Sequence, residues 1–159
     1  MKFILLITLM LSSVCSADFF EKGRSSVGIV LGAGSSNSES YTVIGVSGDY
    51  FILNGLSVGA GYRGWFGVDP VLNQLTFTSS YYIPIHYKFR PYIGAFLRET
   101  FVKSEDDYES YGARAGVSMA VSKNAYASFG WVAERFSDCD SDTYECTNSY
   151  PEVMFSLAF

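Results

Sequence analysis

The stretch VMFSLAF, residues Val153 to Phe159, places an apolar side chain at every second position: Val153, Phe155, Leu157 and Phe159. Glu152, Met154, Ser156 and Ala158 occupy the alternate positions. A period of two is the mark of a β-strand with two different faces. Most domains end in a frayed polar tail. This one is expected to end inside a strand whose partner lies elsewhere in the chain.

The same alternation recurs upstream, and helix-period patterning is scarce. Eight segments carry it: Val27–Ser35, Tyr41–Phe51, Leu56–Gly67, Gln74–Ile83, Phe89–Phe101, Tyr111–Val121, Ala125–Phe136 and Tyr150–Phe159. Asn54-Gly55 between the second and third reads as a tight hairpin turn, because such turns need a positive φ that Asn and Gly tolerate. The connections after the second, fourth and sixth segments are short. Those after the third, fifth and seventh are longer and polar.

The chain opens with the pattern of a secretory signal peptide: Lys2, an apolar run from Phe3 to Leu11, then small residues at Cys15 and Ala17. The run is about half the roughly 20 residues a spanning helix needs, which speaks against a membrane anchor. A lipoprotein reading through Cys15 is weakened by Val14, where a small residue is expected. Residues 1–17 are therefore read as a leader and residues 18–159 as one domain. No later stretch is long and apolar enough for a transmembrane helix.

Removing the leader takes Cys15 with it. Cys139 and Cys146 remain, and an even count in an exported chain points to a disulfide. Closing so short a loop is worth about 2.5 kcal/mol in the chain-entropy picture, enough to stiffen one loop. A metal site there lacks partners, since the only histidine, His86, is distant in sequence. No cofactor or metal is expected. The formal net charge of −5 argues against nucleic acid, which needs a basic face.

The two faces of the eight segments decide which side meets water. One carries Val, Ile, Leu, Ala and Phe, with Tyr50, Phe66, Tyr81, Tyr111 and Trp131 near segment ends, as in interfacial girdles. The other carries Gly and Ser with lone charges in mid-segment: Asp49, Arg63, Arg98, Arg114, Glu134 and Glu152. A soluble barrel turns its apolar face inward. A membrane barrel inverts this, and eight strands leave an interior only wide enough for side chains. The expectation is a closed, all-β, eight-stranded antiparallel transmembrane barrel with the charges in its lumen.

The leader, the eight segments, RPYIGAF at Arg90–Phe96, GARAGVSMAVSKNAYASFGW at Gly112–Trp131 and the closing VMFSLAF together resemble the small outer-membrane β-barrel proteins of Gram-negative bacteria, of the OmpA-transmembrane-domain, OmpX and OmpW kind. The resemblance spans essentially the whole chain after the leader. It implies export to the outer membrane and contact with its lipids and lipopolysaccharide; because the sequence stops at Phe159, no periplasmic peptidoglycan-binding domain is expected after the barrel. It also implies that Val153, Phe155, Leu157 and Phe159 form the C-terminal signal read by the barrel-assembly machinery.

Buried charges must be paired. Counting back from a turn at Lys123-Asn124 sets Arg114 beside Ala133 and Glu134, so an Arg114–Glu134 ion pair is expected, with Arg98 at a similar height. This reads as a salt-bridge plug. The implied role is structural or surface-facing, with envelope integrity, adhesion or a surface ligand engaged through loops. The alternative is a narrow channel or transporter for small or hydrophobic molecules. A lipid-modifying enzyme is the least supported reading: His86 has no nearby serine and reads as a turn residue. Two acidic runs, Glu105, Asp106, Asp107 and Glu109, and Asp138, Asp140, Asp142 and Glu145, read as solvated loops, with divalent-cation bridging to lipid phosphates as the alternative.

Overall fold

The computed structural model describes residues 19–36, 39–67, 72–86, 88–102, 106–137 and 146–159. The expected leader and Cys139 lie outside them. Eight strands form: β1 (Ser25–Ser36), β2 (Glu39–Leu53), β3 (Leu56–Phe66), β4 (Leu72–Tyr82), β5 (Phe89–Val102), β6 (Tyr108–Ser122), β7 (Ala125–Phe136) and β8 (Thr147–Ala158). They close into one barrel in sequence order, every neighbour antiparallel.

All eight segments read from the sequence are strands. Most run one to three residues further at an end, because the ladder continues into polar positions that carry no alternation. Asn54-Gly55 is the β2–β3 turn, and Gly55 takes φ +80°.

The ladder fixes the geometry. From Ser25 the paired positions run to Tyr50, Val58, Ser79, Ala95, Ala113, Ala133 and Ser149. The β8–β1 register, Ser26 opposite Ala158 through Gly32 opposite Glu152, returns Ser149 to the level of position 35, ten residues beyond the start. With strands about 4.8 Å apart and about 3.3 Å per residue, that stagger tilts the strands by about 40°. The apolar stripe of β6, Tyr111 to Val121, then rises about 25 Å, the height of the hydrocarbon-facing band of such barrels.

Alternation decides which side chains meet that band. Val27, Ile29, Ile44, Val46, Phe77, Ile93, Leu97, Val121, Phe129 and Phe155 all point outward and stay exposed. So do the five aromatics assigned to girdles, Trp131 at 56%. The inward side chains share a narrow space, so some positions facing a large ring hold glycine. A Cβ on Gly112 would collide with the Phe96 ring and the Ala133 carbonyl, and one on Gly130 would collide with the Tyr92 hydroxyl.

The closing seam is the shortest ladder. β1 and β8 share seven paired positions, whereas the other pairs share ten to twelve. Val153, Phe155 and Leu157 stand there beside Leu31, Ile29 and Val27 on the outer face, and the Phe159 amide donates to the Ser25 carbonyl at 2.9 Å.

Candidate functional site: the barrel lumen

The lumen is filled in layers. Towards the end of the long loops, Val43 and Trp65 pack together, and Trp65 meets the Tyr150 ring at 6.5 Å. Below them sits the first charged layer. Arg98 Nη1 donates to Glu134 Oε2 at 2.6 Å and to the Tyr150 hydroxyl at 2.9 Å; its Nε donates to Thr76 Oγ1 at 3.1 Å. Ser110 donates to the other oxygen of Glu134 at 2.5 Å. The Arg98 guanidinium lies 4.5 Å from the centre of the Phe96 ring. Both charges of this pair are buried, and every contact is made by a strand side chain.

The second charged layer is centred on Glu152. Arg63 Nη1 stands 3.3 Å from one carboxylate oxygen and Arg114 Nη1 stands 3.5 Å from the other. Arg114 Nη2 also donates to Ser80 at 2.8 Å. Asp49 accepts from Thr78 at 3.4 Å and lines, with Arg63 and Arg114, a cavity of about 10 Å³. That is room for about one water.

The expected Arg114–Glu134 pair does not form. Arg114 stands opposite Val132, and Glu134 stands opposite Gly112. The ladder slips by one between Ala120 and Ser122, so one extra residue of β6, Val121, moves every pair above it. Arg114 then reaches across the lumen to Glu152 on β8, while Arg98 of β5 takes Glu134 of β7. The six charges assigned to the lumen do gather there; their partners are set by the bulge and the closure.

Below the charges, Ser118 and Ser128 share a hydrogen bond of 2.6 Å. The short-turn end is closed by an aromatic cluster of Phe19, Phe20, Phe51, Tyr82, Tyr92 and Tyr126. Alternation places Tyr92 and Tyr126 inside. Phe19 and Phe20 precede β1, outside any periodic segment, so the sequence carries no pattern that brings them in.

Other assigned residues lie away from the lumen. His86 is exposed in the turn after β4, where its Nδ1 accepts from the Lys88 amide at 3.1 Å and its ring stacks on Phe89 at 5.3 Å. Cys146 is disulfide-bonded; Cys139, its expected partner, lies outside the described residues. Asp106, Asp107 and Glu109 of the first acidic run are exposed at the loop end, and Asp107 accepts from the Val102 amide at 3.1 Å. Glu105 and the second run lie outside the described residues.

The filled lumen, the outward apolar band and the closure can be set beside known structures. The N-terminal β-barrel domain of OprF from Pseudomonas aeruginosa superposes with a TM-score of 0.62 at 14% identity, covering 87% of this chain and 98% of that one. The chain has the fold of the small eight-stranded outer-membrane barrels. Neisserial surface protein A superposes at 0.64 with 17% identity, over 86% of this chain and 96% of that one. A de novo designed transmembrane β-barrel does as well, 0.63 at 15% identity over 87% and 98%. A designed chain matches this outer-membrane barrel fold as closely as the natural ones do, so the likeness carries architecture and leaves the role to the side chains. No family model matches the chain, and no curated protein is significantly similar to it in sequence.

Proposed function

We propose that this protein is an integral outer-membrane barrel that does not conduct: a rigid scaffold anchored by its apolar band, acting through the loops at its outer end in envelope integrity or surface contact. The observation that carries this reading is the lumen. Two layers of paired charges and an aromatic floor leave a cavity of about one water between Asp49, Arg63 and Arg114. A solute path would need several of these buried pairs broken at once, each worth several kcal/mol. The filled lumen therefore favours a scaffold over a channel. His86 is engaged in its own turn, which favours a non-catalytic protein.

In this reading Val153, Phe155, Leu157 and Phe159 serve the assembly machinery before they meet lipid. Their strand is the one that finishes the shortest ladder. The acidic loops at the other end face lipopolysaccharide and whatever the protein meets at the cell surface.

Planar-bilayer recording tests the scaffold. The refolded protein is expected to give no single-channel steps. Reproducible steps that disappear in an Arg114→Ala variant would show that the charged layer is a conduit, and would overturn the reading.

A further inference from the structure

The short-turn mouth is lined by Phe51 of β2, Tyr82 of β4, Tyr92 of β5 and Tyr126 of β7. These four belong to strands spread around the barrel, so their rings surround a pocket. What fills it is the segment before β1. Phe20 is 1% exposed and Phe19 4% exposed, although both lie outside the ladder. The Phe20 ring centre is 4.6 Å from Tyr82, 4.7 Å from Tyr126 and 5.7 Å from Phe51. Phe19 meets Tyr126 at 4.4 Å and Phe51 at 6.0 Å. The Arg90 guanidinium lies over the Phe20 ring at 4.6 Å.

The backbone is seated as well. The Phe20 carbonyl accepts from the Gly55 amide at 2.8 Å, and the Gly23 amide donates to the Phe51 carbonyl at 2.8 Å. The Lys22 amide donates to Asn54 Oδ1 at 2.9 Å. Gly23 adopts φ +90°, a conformation open to glycine, and there the chain turns from the mouth into β1. A two-ring insert, hydrogen bonds to the β2–β3 hairpin and a glycine turn together describe a ligand in a site rather than a segment lying on a surface.

We propose that the short-turn mouth is a binding pocket for a pair of aromatic side chains, and that Phe19-Phe20 is its tethered ligand, a stopper that seals the lumen from that side. Seated, it makes the lower lumen inaccessible to solutes. Unseated, by pivoting at Gly23, it exposes a pocket that accepts aromatic or apolar groups, with Arg90 at its edge. The proposal deepens the reading of a sealed barrel and rests on it.

Thiol labelling with a water-soluble maleimide tests it on the full chain refolded in lipid vesicles. Burial of one aromatic ring corresponds to about 100-fold protection, so a Phe20→Cys thiol is expected to react about 100-fold more slowly than an exposed Lys22→Cys thiol. A second reporter, Ser128→Cys, lies one inward position deeper than Tyr126. It is expected to stay protected in the native background and in Phe19→Leu/Phe20→Leu, and to label at least about tenfold faster in Phe19→Ala/Phe20→Ala. Equal rates at positions 20 and 22 would overturn the stopper. So would unchanged protection at position 128 in an alanine variant that still shows the heat-dependent gel shift of a folded barrel. If the alanine variant does not fold, the comparison of positions 20 and 22 decides alone. Failure of the stopper would leave the absence of channel steps intact, so the two readings fail separately.

Discussion

Glu152→Gln is expected to destabilise the barrel by about 3–5 kcal/mol, the cost of stripping buried cations of their partner. Glu152 is 3% exposed and stands between two guanidiniums, Arg63 at 3.3 Å and Arg114 at 3.5 Å. Glu134 cannot replace it without loss elsewhere, because it is held by Arg98 and Ser110. The glutamine keeps the shape and removes the charge, so Arg63 and Arg114 are left with Asp49 as the carboxylate beside them. Urea unfolding in lipid vesicles measures the effect as a midpoint lowered by about 2 M, for a slope of about 2 kcal/mol per molar. Removing Arg114 as well, in Glu152→Gln/Arg114→Met, is expected to recover part of the loss, since one uncompensated cation is gone. Equal stability of Glu152→Gln and the native chain would show that the lumen is hydrated and its charges screened.

Phe129→Arg carries the second large effect. Phe129 points outward from β7 and is half-exposed, opposite Val117 of β6 and Val153 of β8. That places it near mid-height of the apolar band. An arginine at the midplane of such a band costs about 2–4 kcal/mol, and one near the interface about 0–1 kcal/mol. Thr147→Arg, outward on β8 beyond the band, is therefore expected to be nearly silent in the same vesicle unfolding assay. The depth dependence is the informative part. Two exposed positions on a soluble barrel would respond alike, so matching small effects at 129 and 147 would contradict a lipid-facing band.

Much of this architecture is legible in the sequence for one physical reason. In a strand the face of each residue is set by parity, so Val153, Phe155 and Leu157 declare an outward stripe, and Arg63, Arg98 and Arg114 declare a lumen, before any pairing is known. Parity does not give partners. The expected Arg114–Glu134 pair fails because one bulged residue, Val121, shifts the β6–β7 register. The contacts that do form join β5 to β7, and β3 and β6 to β8, across the lumen, and depend on how the sheet closes. Phe19 and Phe20 were illegible for a different reason: a segment outside the strands has no period, and its burial is decided by a pocket built from four distant strands.

The apolar face meets lipid and the charged face is inside. The two tryptophans report on this directly. Trp131 is 56% exposed on the outer face, and Trp65 is 8% exposed in the lumen. Tryptophan fluorescence is measured for Trp65→Phe and Trp131→Phe variants refolded in vesicles with brominated acyl chains. Trp131, alone in Trp65→Phe, is expected to be strongly quenched; Trp65, alone in Trp131→Phe, is expected to keep its emission. Quenching of Trp65 with Trp131 spared would mean that the faces are reversed, and a protein that stays soluble and does not join the vesicles would contradict the account altogether.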